Sequence, residues 1–200
     1  MSEEKKIIAI DAMGGDKGPN AVLGGINQYL YQNGEGGEVA FRLFGDEKKL
    51  RKLMAKYPRV ARNTTIVHAP NVIKGTDKVM EVLRHAQDTS MYMAIKDVRE
   101  GRAAAIISAG NTGMLMSLSK LALKTIDGIS RPAITTMLPS GAGDSRVVVL
   151  DLGANVHCDE NILFDFAVLG SVYAEVVGKM PRPKLGILNI GSEETKGNET

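Results

Sequence analysis

Lys6-Ile7-Ile8-Ala9-Ile10-Asp11-Ala12-Met13-Gly14-Gly15-Asp16-Lys17-Gly18-Pro19 is the stretch whose reading decides the fold. Its first five residues form a short apolar run that reads as a strand. The run ends at Asp11, and a glycine-bearing loop follows. Pro19 then stands in the first turn of a helix that runs to Gln32, with Gly34 just beyond its end. A strand, a glycine loop and a helix in that order make the opening unit of a layered α/β protein.

The same alternation extends outward from this unit. Val39–Phe44 reads as a second strand, and Asp46 can cap a helix through Tyr57 with Leu50, Leu53, Met54 and Tyr57 on one face. Thr64–His68 is a third strand. Helical patterns follow over Asp77–Ala86 and Ser90–Glu100, the second stopped by Gly101. Ala103–Ser108 is apolar almost throughout, as expected for a strand at the centre of a parallel sheet. A helix is expected from Asn111 to about Lys124. Ala133–Leu138 and Val147–Asp151, joined through Gly141-Ala142-Gly143-Asp144, read as an antiparallel hairpin within a mostly parallel sheet. Asp159–Val177 is an amphipathic helix with Ile162, Phe166, Leu169, Tyr173 and Val176 on one face, and Lys184–Ile190 is a last strand. No repeat, low-complexity linker or domain boundary interrupts the pattern.

Composition narrows the functional classes. The 200 residues are 44% hydrophobic and 24% charged, ordinary for a globular domain with a sizeable core. Aromatics are only 4%, so that core is built from aliphatic residues and methionine. A formal charge of +2, without interleaved basic and aromatic residues, argues against a nucleic-acid partner. Cys158 is the single cysteine, which excludes an internal disulfide and suits a reducing compartment. The longest apolar helical run, Ile162–Val177, is broken by Asp165 and Glu175, and the N-terminus has no signal-peptide core. A cytosolic protein is expected.

Four glycine-rich stretches follow strands: Asp11 to Gly18, Ala109 to Gly113, Gly153-Ala154-Asn155, and Gly191 to Gly197. Ligands of α/β sheets sit at the carboxyl ends of the strands, so these loops are expected to form one site. Gly14 and Gly15 let the backbone approach a ligand closely. Asp11 and Asp16 could hold a magnesium ion or accept hydrogen bonds, or the loop is a tight turn with Asp16 capping the next helix.

Ser108-Ala109-Gly110-Asn111-Thr112-Gly113 places a helix start after a buried strand, where unpaired N–H groups favour an anion. Ser108, Asn111 and Thr112 add side-chain donors, although Asn111 could equally be a plain cap. Asn155 is an amide suited to orienting a carbonyl or phosphate oxygen. His157 titrates near neutrality but has no evident partner. Lys196, after the last strand, is either a solvated charge or a phosphate-binding or catalytic group. The chain lacks a dinucleotide fingerprint, a P-loop, a G-x-S-x-G elbow and a cysteine–histidine zinc cluster. One basic run, from Lys48 to Arg62, forms either a solubilising face or a surface for an acidic protein or anionic lipid.

Together, Ile10-Asp11-Ala12-Met13-Gly14-Gly15-Asp16, Ser108-Ala109-Gly110-Asn111-Thr112-Gly113, Arg131-Pro132-Ala133, Asp151-Leu152-Gly153-Ala154-Asn155 and Ile190-Gly191-Ser192-Glu193-Glu194-Thr195-Lys196-Gly197-Asn198 resemble, in order, the bacterial phosphate acyltransferase family. The resemblance spans the whole chain. It implies a three-layer α/β/α fold with a mostly parallel mixed sheet, similar to isopropylmalate dehydrogenases and phosphate acetyltransferases. It implies transfer of a long-chain acyl group from acyl-carrier-protein thioester to inorganic phosphate, giving acyl phosphate for phospholipid synthesis.

The partners so implied are acyl carrier protein, phosphate, a second copy in a homodimer, the membrane surface, and a membrane-bound glycerol-3-phosphate acyltransferase. No cofactor or metal is expected. Lys196 and Asn155 would be the catalytic groups, and Gly14, Gly15, Asp16, Ser108, Asn111, Thr112 and Gly113 would bind phosphate or substrate. Met114, and Thr89-Ser90 in place of a serine pair, depart from the family pattern. Relatives continue past Asn198, so the chain is expected to be the N-terminal part of a single acyltransferase domain, with the remainder absent. A short-chain phosphate acetyltransferase and a non-enzymatic anion-binding module are the alternatives.

Overall fold

The computed structural model describes residues 5–35, 37–77, 82, 85–141, 146–189 and 191. By its internal contacts the chain divides at Lys124 into two units, Met1–Lys124 and Thr125–Thr200.

In the first unit, apolar runs form four strands: β1 (Lys6–Asp11), β2 (Val39–Gly45), β3 (Thr64–His68) and β4 (Ala105–Ser108). All pairings are parallel and the order is β3-β2-β1-β4. The registers align Asp11 with Phe44 and with Ser108, and Gly45 with His68, so the carboxyl ends lie along one edge. Successive side chains of a strand point to opposite faces. Ile8 and Ile10 accordingly pack with α1 (Gly18–Asn33), α2 (Glu47–Met54) and α3 (Pro58–Asn63), through Leu23, Leu30, Leu50 and Val60. Ile7 and Ala9 pack on the other face with Ala94 of α4 (Ser90–Arg99). Met91 and Ile95 of α4 join Met114 and Leu118 of α5 (Thr112–Leu123). Helices on both faces of a parallel sheet bear out the α/β expectation.

Capping fixes several helix starts at the expected residues. The Lys49 N–H donates to Asp46 Oδ1 at 2.9 Å, and the Tyr92 N–H donates to Thr89 Oγ1 at 3.3 Å. The buried Asp97 of α4 faces Arg42 of β2 at 3.2 Å and Arg102 at 2.6 Å, which pins α4 to the sheet.

Three expectations need correcting. β4 lies at an edge of the described sheet instead of its centre: β1 pairs with one side of it, and Ile107 is half exposed. The expected hairpin forms, with β5 (Thr136–Pro139) antiparallel to β6 (Arg146–Val149), but as a separate two-stranded ladder in the second unit. Lys184–Asn189 forms no ladder because no strand pairs with it among the described residues, and Leu188 is 95% exposed. The helical pattern of Asp77–Ala86 falls largely outside the described residues.

The second unit also holds α6 (Glu160–Val176), capped by Asp159, which accepts from the Ile162 N–H at 2.9 Å. Its buried face is Ile162, Phe166, Gly170 and Ala174: Ile162 and Phe166 of the expected stripe are buried, while Leu169 and Tyr173 are half-buried and Val176 is exposed. The reason is a close approach: a Cβ at Gly170 would lie 2.8 Å from Leu150 Cδ2, so the bare glycine sits against Leu150.

A surface cluster makes the first unit's stability pH-dependent. Glu35 accepts from Arg62, Arg59 and Asn63, and the Arg62 guanidinium above all lowers its carboxyl to about 2 from the ordinary 4.5. A depressed folded pKa contributes stability that is present above 4.5 and lost as pH falls through about 2. In urea titrations, the stability gap between wild type and Glu35→Gln should therefore narrow below pH 4.5 and close near pH 2. A gap that stays constant across that window would show the cluster contributes nothing.

Candidate functional site

The strand order reverses between β1 and β4: the chain builds outward from β1 to β3, then returns to the other side of β1. In open α/β sheets the loops at such a switch point diverge at the carboxyl edge and leave a crevice there. The two loops here are the ones that follow Asp11 and Ser108.

Asp11 joins them. Its side chain is 2% exposed. Ser90 Oγ donates to Asp11 Oδ1 at 2.6 Å, and the N–H groups of Gly14 and Met13 reach the same oxygen at 3.2 and 3.3 Å. Ser108 Oγ donates to Asp11 Oδ2 at 2.7 Å and accepts from the Gly110 N–H at 3.1 Å. One buried carboxyl thus takes four donors from three segments. A carboxyl so saturated is a poor metal ligand, and its role is to accept hydrogen bonds.

The glycines are required by contact. A Cβ at Gly14 would lie 2.6 Å from Asp11 Oδ2 and 2.9 Å from the Gly110 nitrogen. Gly15 has φ +81°, and a Cβ there would lie 2.7 Å from the Ala109 carbonyl oxygen. The two loops therefore touch backbone to backbone.

Outward from this lock lies the start of α5. Asn111 Oδ1 accepts from the Met114 N–H at 3.0 Å, so Asn111 is the helix cap. The N–H groups of Thr112 and Gly113 have no acceptor among the described residues, and both residues are exposed. Of the side-chain donors expected here, the Ser108 hydroxyl is committed to Asp11, while Asn111 Nδ2 and Thr112 Oγ1 remain open. Asp16 is exposed and does not cap α1, whose cap position is Lys17 with no side-chain bond.

Asn155 belongs to the second unit. Its Nδ2 donates to Pro132 O and to Asp151 Oδ2, both at 3.0 Å, and its N–H donates to Asp151 Oδ2 at 2.7 Å. Burial raises the Asp151 carboxyl, but the N–H groups of Ile134, Asn155 and Ala154 and the Asn155 amide outweigh it and hold the carboxyl below its usual range. Asn155 thus spends its donors on the local loop. His157 is exposed and Cys158 is a half-buried free thiol. Lys196 lies outside the described residues, as does the rest of 192–200. Of the four glycine-rich stretches, the structure brings together those after β1 and β4.

Ser90 is the residue that sequence reading missed. It stood out only as half of the Thr89-Ser90 departure, and nothing local signals that its hydroxyl meets a carboxyl 79 positions earlier.

The family described as fatty acid synthesis protein matches residues 6–200, nearly the whole chain. The chain belongs to that family. Its curated relatives bear out the resemblance to phosphate acyltransferases. The protein named phosphate acyltransferase of Rhodospirillum rubrum is 42% identical over 194 residues, covering 97% of this chain and 54% of the relative. The one of Rhodospirillum centenum is 44% identical over 197 residues, covering 98% and 54%. The chain spans about half the length of the curated relatives it matches. Among solved structures, the EutD phosphotransacetylase from Staphylococcus aureus superposes with a TM-score of 0.62 at 23% identity, over 87% of this chain and 54% of that one. This likeness establishes the fold. No helix among the described residues is long and apolar enough to cross a membrane.

Proposed function

We propose that this chain provides the phosphate-holding part of an enzyme that transfers a long-chain acyl group from acyl-carrier-protein thioester to inorganic phosphate. The observation that carries the reading is the Asp11 lock at the switch point, which fixes two glycine loops and leaves the first N–H groups of α5 open to an anion. Membership of the family and the names of the relatives support the same chemistry.

The reaction needs no covalent enzyme intermediate. A phosphate oxygen attacks the thioester carbonyl carbon, the C–S bond breaks with its electron pair going to sulfur, and the proton given up by phosphate ends on the thiol. The protein's tasks are to hold phosphate, stabilise the oxyanion and assist the leaving thiolate. Thr112 and Gly113 N–H, Asn111 Nδ2 and Thr112 Oγ1 suit the first task, with Gly14, Gly15 and Ser108 shaping the loops. The exposed Asp16 carboxyl stands on the same loop as Gly14 and Gly15; a carboxylate repels phosphate, so its proposed role is to accept from a donor on the substrate. Lys196 is proposed for the acyl side, and Asn155, whose Nδ2 hydrogens are both spent on Pro132 O and Asp151 Oδ2, is proposed to hold its own loop in shape. The acyl phosphate would pass to a membrane-bound glycerol-3-phosphate acyltransferase, with a cytoplasmic homodimer working at the inner membrane surface.

The test is mass-spectrometric detection of acyl phosphate from the full-length protein, given long-chain acyl-carrier protein and phosphate, with acetyl-CoA run alongside. Acyl phosphate from the carrier substrate is expected, and Asn111→Ala with Thr112→Ala should raise the phosphate KM about tenfold or more, tenfold being the scale of one lost charge-assisted hydrogen bond. Turnover of acetyl-CoA alone would favour a phosphate acetyltransferase, and no turnover of either would refute the assignment.

A further inference from the structure

The helix α2 starts on the rim of the phosphate site. Its cap, Asp46, follows Gly45, and a Cβ at Gly45 would lie 2.6 Å from Cγ of Met13 in the Asp11 loop. The Glu47 N–H donates to Nδ1 of His68, the last residue of β3, at 3.3 Å, so this helix start and the glycine loops share the carboxyl edge.

The outward face of α2 and the turn after it carry Lys48, Lys49, Lys52 and Lys56, all exposed. The neighbouring arginines are neutralised: Arg51 pairs with Glu47, and Arg59 and Arg62 pair with Glu35. None of the four lysines has an acidic partner among the described residues. Together they exceed the +2 formal charge of the whole chain.

This arrangement works against the helix. Lys48 and Lys49 sit in its first turn, where the macrodipole disfavours cations, and Lys48 and Lys52 are like charges one turn apart. Solubility alone could place such charges where they cost nothing. Beside the lysines, the end of α2, α3 and the edge strand β3 border a groove of about 640 Å³, whose apolar lining of Met54, Ala55, Pro58, Ala61 and Ile66 is joined by the polar Arg51, Thr64 and Thr65.

Building on the proposed function, we infer that this face docks the acidic protein that delivers the thioester. A carboxylate-bearing helix lies along Lys48, Lys49, Lys52 and Lys56 and sets an apolar side chain into the groove. A protein suits the surface better than a lipid headgroup layer. Membrane-surface helices present large apolar residues outward, whereas of the apolar residues of α2, Leu50 and Met54 are buried and Leu53 packs half-buried against the core. Charges on the rim of such an interface chiefly steer association and make it salt-sensitive.

The experiment uses the full-length protein with Lys48→Glu, Lys49→Glu, Lys52→Glu and Lys56→Glu combined, and circular dichroism to confirm folding. A milder Lys48→Ala and Lys52→Ala pair should show the same trend if the quadruple variant misfolds. Fluorescence anisotropy with labelled carrier protein reads docking without turnover. Charge reversal should weaken carrier binding about tenfold or more and flatten its salt dependence. In turnover, KM for acyl-carrier protein should rise while kcat stays within about twofold. Unchanged carrier affinity and salt dependence would overturn the inference. So would a loss of binding to phosphatidylglycerol vesicles with carrier affinity intact, which would make the face a membrane contact. If wild type binds carrier through these lysines yet makes no acyl phosphate, the docking surface stands and the proposed reaction falls.

Discussion

Asp11→Ala in the full-length protein is expected to lower both its stability and its use of phosphate. The substitution strips the acceptor from two hydroxyls and two backbone N–H groups at once. The hydroxyls of Ser90 and Ser108 can rotate toward other acceptors, but the N–H groups of Met13 and Gly14 cannot. A buried donor left unpaired costs about 1–3 kcal/mol, so the total is about 3 kcal/mol after partial relaxation. The effect on activity arises from position. Without the shared carboxyl, the side-chain hydrogen bonds from Ser90 and Ser108 to the glycine loop are lost, and a displacement near 1 Å at the start of α5 costs about 10²-fold in rate. Phosphate kcat/KM is expected to fall by about that factor, with a clear drop in Tm.

Asp11→Asn separates the two effects. Its carbonyl oxygen can keep Ser90 and Gly14 as donors, and Ser108 Oγ can turn to accept from the new amide. This variant should keep most of the stability and part of the activity. An Asp11→Ala protein with wild-type Tm and wild-type phosphate kinetics would show that the lock does no positioning.

How far this lock was legible in the sequence depends on which of its parts are local. β1, the Gly14-Gly15 turn and the Asn111 helix start are written in consecutive residues, and each formed where expected. The apolar run at Ala103–Ser108 announced a strand, but apolarity cannot distinguish a central strand from one whose outer side lacks a partner, and β4 proved to be an edge of the described sheet. Lys184–Asn189 failed for the same reason: a strand needs a neighbour, and its six residues say nothing about one. The face of α6 was misread because the deciding contact, Gly170 against Leu150, depends on backbone approach, and a hydrophobic stripe does not record that. Ser90 was invisible because its partner is 79 positions away. Spacing reveals partners one turn or one pleat apart, and a switch point is built from partners brought together by topology.

Lys196→Ala in the full-length protein is expected to lower kcat by about 10²-fold or more, the usual contribution of a positioned acid. The chemistry of the leaving group motivates this. Cleaving the thioester expels a thiolate whose reference pKa is about 8.5, so it departs as an anion or takes a proton as it leaves. An ammonium nearby can stabilise that charge or supply the proton. It could instead only attract phosphate, and kinetics tell the roles apart. Loss of ground-state binding raises the phosphate KM with kcat near normal, whereas loss of transition-state help lowers kcat. Lys196→Arg should rescue poorly, because a guanidinium is bulkier and does not give up its proton. Glu193 and Glu194, three and two positions before it in the sequence, are the groups expected to position the ammonium. Changing both to glutamine should shift the pH profile of kcat without abolishing it. If Lys196→Ala retains wild-type kcat at saturating substrate, the lysine is not the acid. The exposed His157 is then the next residue to replace.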